Sequence, residues 1–187
     1  QFKLDFPEDQ ALKSYTARLS YKTELSSFSD EAPLLVRKLS KAANGAVCVQ
    51  KRFQGYEQPL YILANNRIEA SFDPAQGGRM IELLDRASCT NQLHLDYDKI
   101  DALKSIPFAY AIWFEIGGGF KNDKWDILEA KGGKLKLHSF NASNGLDASM
   151  LWTLPDNDAV LKLEASVVNK ASGSVKGKFY MHPEYNL

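Results

Sequence analysis

The sequence predicts a mostly β protein: a twisted antiparallel β-sandwich, supplemented by a short N-terminal helix or extra strands. Three observations carry that expectation. Short runs rich in aliphatic, aromatic and β-branched residues recur at near-regular spacing from Leu60 onward. Clusters of Asn, Asp, Gly and Pro punctuate them. No amphipathic helical pattern intervenes, as the crossovers of a parallel α/β sheet would require.

The first sixty residues read differently from the rest. Ala11 to Leu25 places Tyr15, Thr16, Tyr21 and Thr23 among alternating polar positions, which suits one strand. After the polar break Ser26 to Asp30, Asp30 can cap a short helix with Pro33 near its start. Leu34, Leu35, Leu39, Ala42 and Ala43 would share one helical face, and Asn44-Gly45 would end it. The rival reading makes Leu34 to Leu39 a strand and Asn44-Gly45 a hairpin turn into Ala46 to Phe53.

From residue 60 the elements are all strands. Leu60 to Ala64 and Arg67 to Phe72 flank Asn65-Asn66, a pair able to accept positive φ in a tight hairpin. Met80 to Leu84 follows Gly77-Gly78. Phe108 to Ile116, with Phe108, Tyr110, Trp113 and Phe114, has the length and apolarity of a central strand. Lys134 to His138 alternates Leu135 and Leu137 with lysines and so reads as half-buried. Ala148 to Leu154, Val160 to Val168 and Val175 to Met181 complete the series, with Pro155 to Asp158 and Asn169 to Ser174 as turns.

Composition narrows the function classes. The 187 residues fit one sizeable domain or one domain with a smaller attachment. Lys plus Arg and Asp plus Glu both number 23, and no basic stripe breaks the balance, so nucleic acid is not an expected partner. No apolar run approaches the ~20 residues that span a bilayer, and Gln1 to Asp5 lacks the layout of a signal peptide. A chain that opens on Gln rather than Met is expected to have been trimmed. Cys48 and Cys89 are expected as two buried free thiols, with pairing as the alternative in an oxidising compartment. His94, His138 and His182 form no His-x-His or His-x-x-x-His pair, so neither a metal nor another cofactor is expected.

The most distinctive segment is Phe72-Asp73-Pro74-Ala75-Gln76-Gly77-Gly78-Arg79-Met80-Ile81-Glu82-Leu83-Leu84-Asp85. Pro74 bends the outgoing strand, the glycine pair tolerates unusual φ, and the chain re-enters as a strand led by Arg79. A plain β-turn with a solvated arginine is the simplest reading. The stretch from Arg67 to Asp85, followed by Thr90-Asn91-Gln92-Leu93, resembles the opening hairpin of the galactose mutarotase-like superfamily. A second likeness lies in His182-Pro183-Glu184-Tyr185-Asn186-Leu187, which is similar to an aldose epimerase element of His, two aromatics, Asn and Leu. Glu184 stands where that element has an aromatic.

The resemblance covers roughly Tyr61 to Leu187. It implies a supersandwich-like domain over 60–187, and leaves 1–59 as an N-terminal segment or part of a preceding β-rich module. In aldose epimerases the histidine protonates the ring oxygen and a distal carboxylate takes the anomeric proton, so His182 would be the acid and Glu184 a candidate base. No segment here matches that distal carboxylate. The likeness thus extends to the first half of such a sandwich, from a fragment or a reduced relative.

Arg79, Trp113, Glu115, Trp125 and Tyr185 join His182 and Glu184 as candidate ligand-contacting residues. Gly117-Gly118-Gly119 lacks the Lys-Ser/Thr of a phosphate loop, but it could carry Phe120 and Trp125 to the apolar face of a pyranose. Otherwise Trp125 tucks against the sheet. Glu115, Asp123, Asp126 and Glu129 would need carboxyl separations of about 5–5.5 Å or 6.5–9.5 Å to act as a glycosidase pair, and read more simply as surface charge. The expected function is a carbohydrate-recognising β-sandwich domain, joined to other domains of the same polypeptide in a periplasmic or extracellular protein. The alternatives are a sugar epimerase using His182 and a non-catalytic structural or interaction sandwich.

Overall fold

The computed structural model describes residues 5–42, 44–95, 110–115 and 120–185. The strands are β1 (Gln10–Lys22), β2 (Ser27–Arg37), β3 (Val47–Phe53), β4 (Leu60–Ala64), β5 (Ile68–Asp73), β6 (Arg79–Asp85) and β7 (Thr90–Asn91). They continue with β8 (Tyr110–Glu115), β9 (Asp126–Lys131), β10 (Lys134–Asn141), β11 (Leu146–Thr153), β12 (Lys162–Asn169) and β13 (Lys178–Pro183). No helix occurs among the described residues. Phe108, Ile116, Gly117 to Gly119, Asn186 and Leu187 lie outside them.

Two sheets result. The larger runs β13-β8-β6-β5-β4-β3-β1-β2, with β7 added on β6, and the smaller runs β12-β11-β10-β9. Inward side chains of both meet in one apolar cluster. Leu63, Ala70, Phe72 and Met80 come from the larger sheet; Leu135, Leu137, Ala148, Met150 and Trp152 come from the smaller. The smaller sheet shows how alternation sets this up. Leu135 lies opposite Trp152, and Leu137 opposite Met150, while Lys136 and Leu151 in the row between them are only half-buried. A two-residue turn at Gly132-Gly133 joins β9 to β10, with Gly132 at φ 53°, where most side chains would be strained. On its other face the larger sheet buries Phe53, Leu60, Ile62 and Ile81 beneath Ala42, Tyr56 and Leu95.

The expected N-terminal helix is a strand. Leu34 and Leu35 belong to β2, opposite Tyr15 and Ser14 of β1, and both are exposed. Spacing alone put the leucines on a helical face, whereas cross-strand pairing along eleven rows decided the outcome. Pro33 fits because β2 is an edge strand. Asn44-Gly45 is a turn, but β2 and β3 do not pair across it; β3 lies between β1 and β4. The β1–β3 contact is parallel, Gln10 beside Arg52 and Leu12 beside Phe53, so the sheet is mixed rather than wholly antiparallel.

That short overlap has a consequence for shape. β3 ends where β1 has only begun, so from Thr16 to Ala32 the β1–β2 hairpin is exposed throughout. Its base, by contrast, is riveted to the sheet. Arg37 grips Glu82 with both guanidinium nitrogens, and Ser71 donates a third hydrogen bond to Glu82 at 2.9 Å. Arg86 bonds both the Ser40 carbonyl (2.9 Å) and Glu69 (3.1 Å), and the Ser40 N–H donates to Glu69 at 3.0 Å. Burial pushes the Glu69 carboxyl above its ordinary range, against the pull of the Ser40 N–H, Arg86 and Lys51. Residues before and after position 59 thus share one sheet, β3 pairing with β4 through Cys48 and Leu63.

Candidate functional site

The Phe72–Arg79 turn is built around a buried carboxylate. Asp73 ends β5 fully buried; its Oδ2 accepts the Tyr56 hydroxyl at 2.5 Å and its Oδ1 the Ala75 N–H at 3.0 Å. The Gln76 amide donates to the Tyr56 oxygen at 2.9 Å. Desolvation drives the Asp73 carboxyl above its usual range and the Tyr56 phenol above its own. Together they hold the turn.

A second loop clamps the turn from outside. The Gly77 N–H donates to the Asp123 carbonyl (2.8 Å), and the Trp125 N–H to the Pro74 carbonyl (2.7 Å). Gly77 has φ 73°, and a Cβ there would sit 2.1 Å from the Lys121 oxygen, so only glycine fits. Asp123 in turn accepts the Phe120 N–H at 2.7 Å, which makes it a loop cap.

Arg79 is part of this clamp. Its Nε donates to the Gln76 carbonyl at 3.0 Å and Nη2 to the Lys121 carbonyl at 3.2 Å and Asn122 Oδ1 at 3.4 Å. It is therefore anchored and half-buried rather than a solvated arginine. Trp125 requires a correction. It is 1% exposed, packs against Phe120 with ring centroids 5.8 Å apart, and donates Nε1–H to the Phe120 carbonyl. A ring sealed in the core offers no face to a sugar. The loop closes on the Asp73 turn, and this closure buries the indole.

The remaining candidates lie on three adjacent strands. Met80 of β6 pairs with Tyr110 of β8, and Tyr110 also pairs with Pro183 of β13. Arg79 and His182 thus sit at the same end of the sheet, one strand apart. Trp113 lies opposite Tyr180 and Glu115 opposite Lys178, farther along the same pair of strands. The chain beyond β13 is tied down by a bridge between Tyr185 and Leu93 and by the His94 N–H donating to the Glu184 carbonyl at 2.8 Å. His182 Nε2 stands 3.8 Å from Glu184 Oε1, with the side chains 60% and 32% exposed. Tyr185 is exposed as well. An open rim bearing an imidazole, a carboxylate and a phenol can exchange hydrogen bonds with polar ligands and stack one ring.

Other features were not foreseen from the sequence. An apolar cleft of about 560 Å³ opens between the sheets, lined by Met80, Leu83, Gln92, Trp152, Leu163 and Met181 among others. The Tyr56–Asp73–Gln76 network carries only one weak signal, an aspartate at a strand end before Pro. Of the other histidines, His138 faces Asp147 across β10 and β11 at 2.7 Å. No group of three or more His, Cys, Asp or Glu that could hold a metal occurs among the described residues. No helix among them is long and apolar enough to cross a membrane. Cys48 and Cys89 are free, and Cys89 is exposed rather than buried. Comparison with protein-family models, curated proteins and solved structures finds no match to this chain.

Proposed function

We propose that the two sheets form a twisted sandwich of galactose mutarotase-like type and that the chain recognises carbohydrate at the β6-β8-β13 end of its larger sheet. One observation supports this most. Three segments spread over about a hundred residues of sequence, around Arg79, Trp113 to Glu115 and His182 to Tyr185, fall on neighbouring strands or just beyond them. Their residue types are those that pyranoses use: aromatic rings for the apolar face, and imidazole and carboxylate for hydroxyls. Glycan-array screening followed by calorimetry on the best ligand tests it. Tyr185→Ala and His182→Ala should each weaken binding about tenfold or more. A chain that binds no glycan, or whose binding ignores both substitutions, rejects the reading.

The proximity of His182 to Glu184 favours epimerase chemistry as the second reading, with His182 as acid and Glu184 as base. Polarimetry on fresh glucose or galactose separates the two. Mutarotation faster than with His182→Ala supports catalysis; equal rates leave recognition alone.

A further inference from the structure

The outer β1–β2 hairpin lies at the opposite end of the larger sheet from β13 and takes no part in the carbohydrate reading. Its register runs without a bulge from Leu12 opposite Arg37 to Lys22 opposite Ser27, so its faces alternate strictly. One face is polar toward the tip, with Leu35 nearer the base: Arg18 pairs with Glu31, and the hydroxyls of Ser20 and Ser29 lie 3.5 Å apart. The other carries Leu19, Tyr21, Phe28 and Leu34 around Ala17 and Ala32, with Leu19, Tyr21, Phe28 and Leu34 all well exposed. Between rows 13 and 22 the only charges on this face are Lys13 and Asp30. A two-stranded ribbon with a bare apolar face is at best marginally stable in water.

We propose that this face docks on the same face of a second copy, the two hairpins stacked antiparallel about a two-fold axis. Charge placement selects this occupant. Lys13 lies at the base, and Asp30, opposite Leu19, lies six rows nearer the tip. Reversing one hairpin on the other brings each Lys13 alongside the Asp30 of the second copy, so the face is complementary to itself. Size agrees. Two aromatics and two leucines on a ribbon about 30 Å long contribute on the order of 500 Å² per copy, or about 1,000 Å² in all, the lower bound for a specific contact.

Edge geometry disfavours side-by-side pairing along β2. Thr23 N–H donates to the Ser26 carbonyl and Lys38 N–H to the Ala11 carbonyl, which fixes the alternation of bonded rows along the hairpin. Thr16 opposite Pro33 falls on a row without cross-strand bonds, so the backbone nitrogen of Pro33 points to the free edge. Lacking a hydrogen there, it interrupts side-by-side pairing along β2.

Sedimentation equilibrium across a concentration series tests the proposal, with circular dichroism as a check on folding. The chain should dimerise, and Leu19→Asp, at an exposed position, should raise the dimer dissociation constant about tenfold or more. Ser20→Asp, on the polar face, should leave it unchanged. Lys13→Asp or Asp30→Lys alone should weaken the dimer, and the two together should restore it. A monomer at all concentrations overturns the proposal. So does a dimer indifferent to Leu19→Asp, or a charge exchange that fails to restore association. Binding of liposomes by a monomeric chain would likewise overturn it in favour of a lipid surface.

Discussion

Gly77 has no room for a side chain, because its α-carbon faces the Lys121 carbonyl while its own N–H is held by Asp123. Gly77→Ala therefore combines a backbone clash with positive φ and should cost about 2–4 kcal/mol in urea unfolding. Gly132→Ala meets open space and should cost about 1 kcal/mol, from its φ alone. The sequence made the glycine pair conspicuous but could not show what presses against it. Asp73 and Glu69 were hidden for a related reason: their burial depends on residues distant in the chain, Tyr56 for one and Ser40 with Arg86 for the other. Glu69 also leaves a pH signature. Burial raises its native pKa, so its contribution to stability is fully present below the ordinary carboxylate value and is lost as pH rises through the raised one. Relative to Glu69→Gln, the protein should lose stability as pH rises above the ordinary carboxylate range in paired urea titrations; a pH-independent difference would contradict this.

At the scale of elements, the hairpin base shows how a charged rivet holds one segment to a sheet. Glu82 is almost fully buried and Arg37 nearly so, and the segment that follows Arg37 brings Ser40 onto Glu69 and Arg86. Arg37→Ala would leave a buried carboxylate with Ser71 as its remaining named donor, at a cost of about 3–5 kcal/mol. The double substitution Arg37→Met with Glu82→Leu should recover most of that loss in a thermodynamic cycle; losses that simply add would show the pair is uncoupled. Strands from residue 60 onward were readable because alternation and turn residues agreed there, as in β4, β5, β10 and β11. β9 was missed since Asp126 to Lys131 has a weak pattern, and its pairing follows from Gly132-Gly133. For β2 the helix and strand readings competed, and pairing with β1, which no local pattern shows, decided for the strand.

For the whole molecule, the mostly β character was legible, whereas the placement of β6 and β13 on either side of β8 rests on long-range pairing that no local pattern shows. Of the two readings of Trp125, on a sugar-facing loop or tucked against the sheet, the burial of its ring agrees with the second, and a glycine-rich approach could not have said where the loop lands. It lands on the Asp73 turn and completes the core. The two ends of the larger sheet also differ in kind: β13 and its neighbours present polar rims, while the β1–β2 hairpin presents a greasy panel. Between them the proline at position 33 sets a limit on growth. With one hydrogen absent from the outer rim of the ribbon, a further strand cannot add along that rim without a break. A residue carrying that hydrogen would offer an unbroken ladder on which chain after chain could accrete.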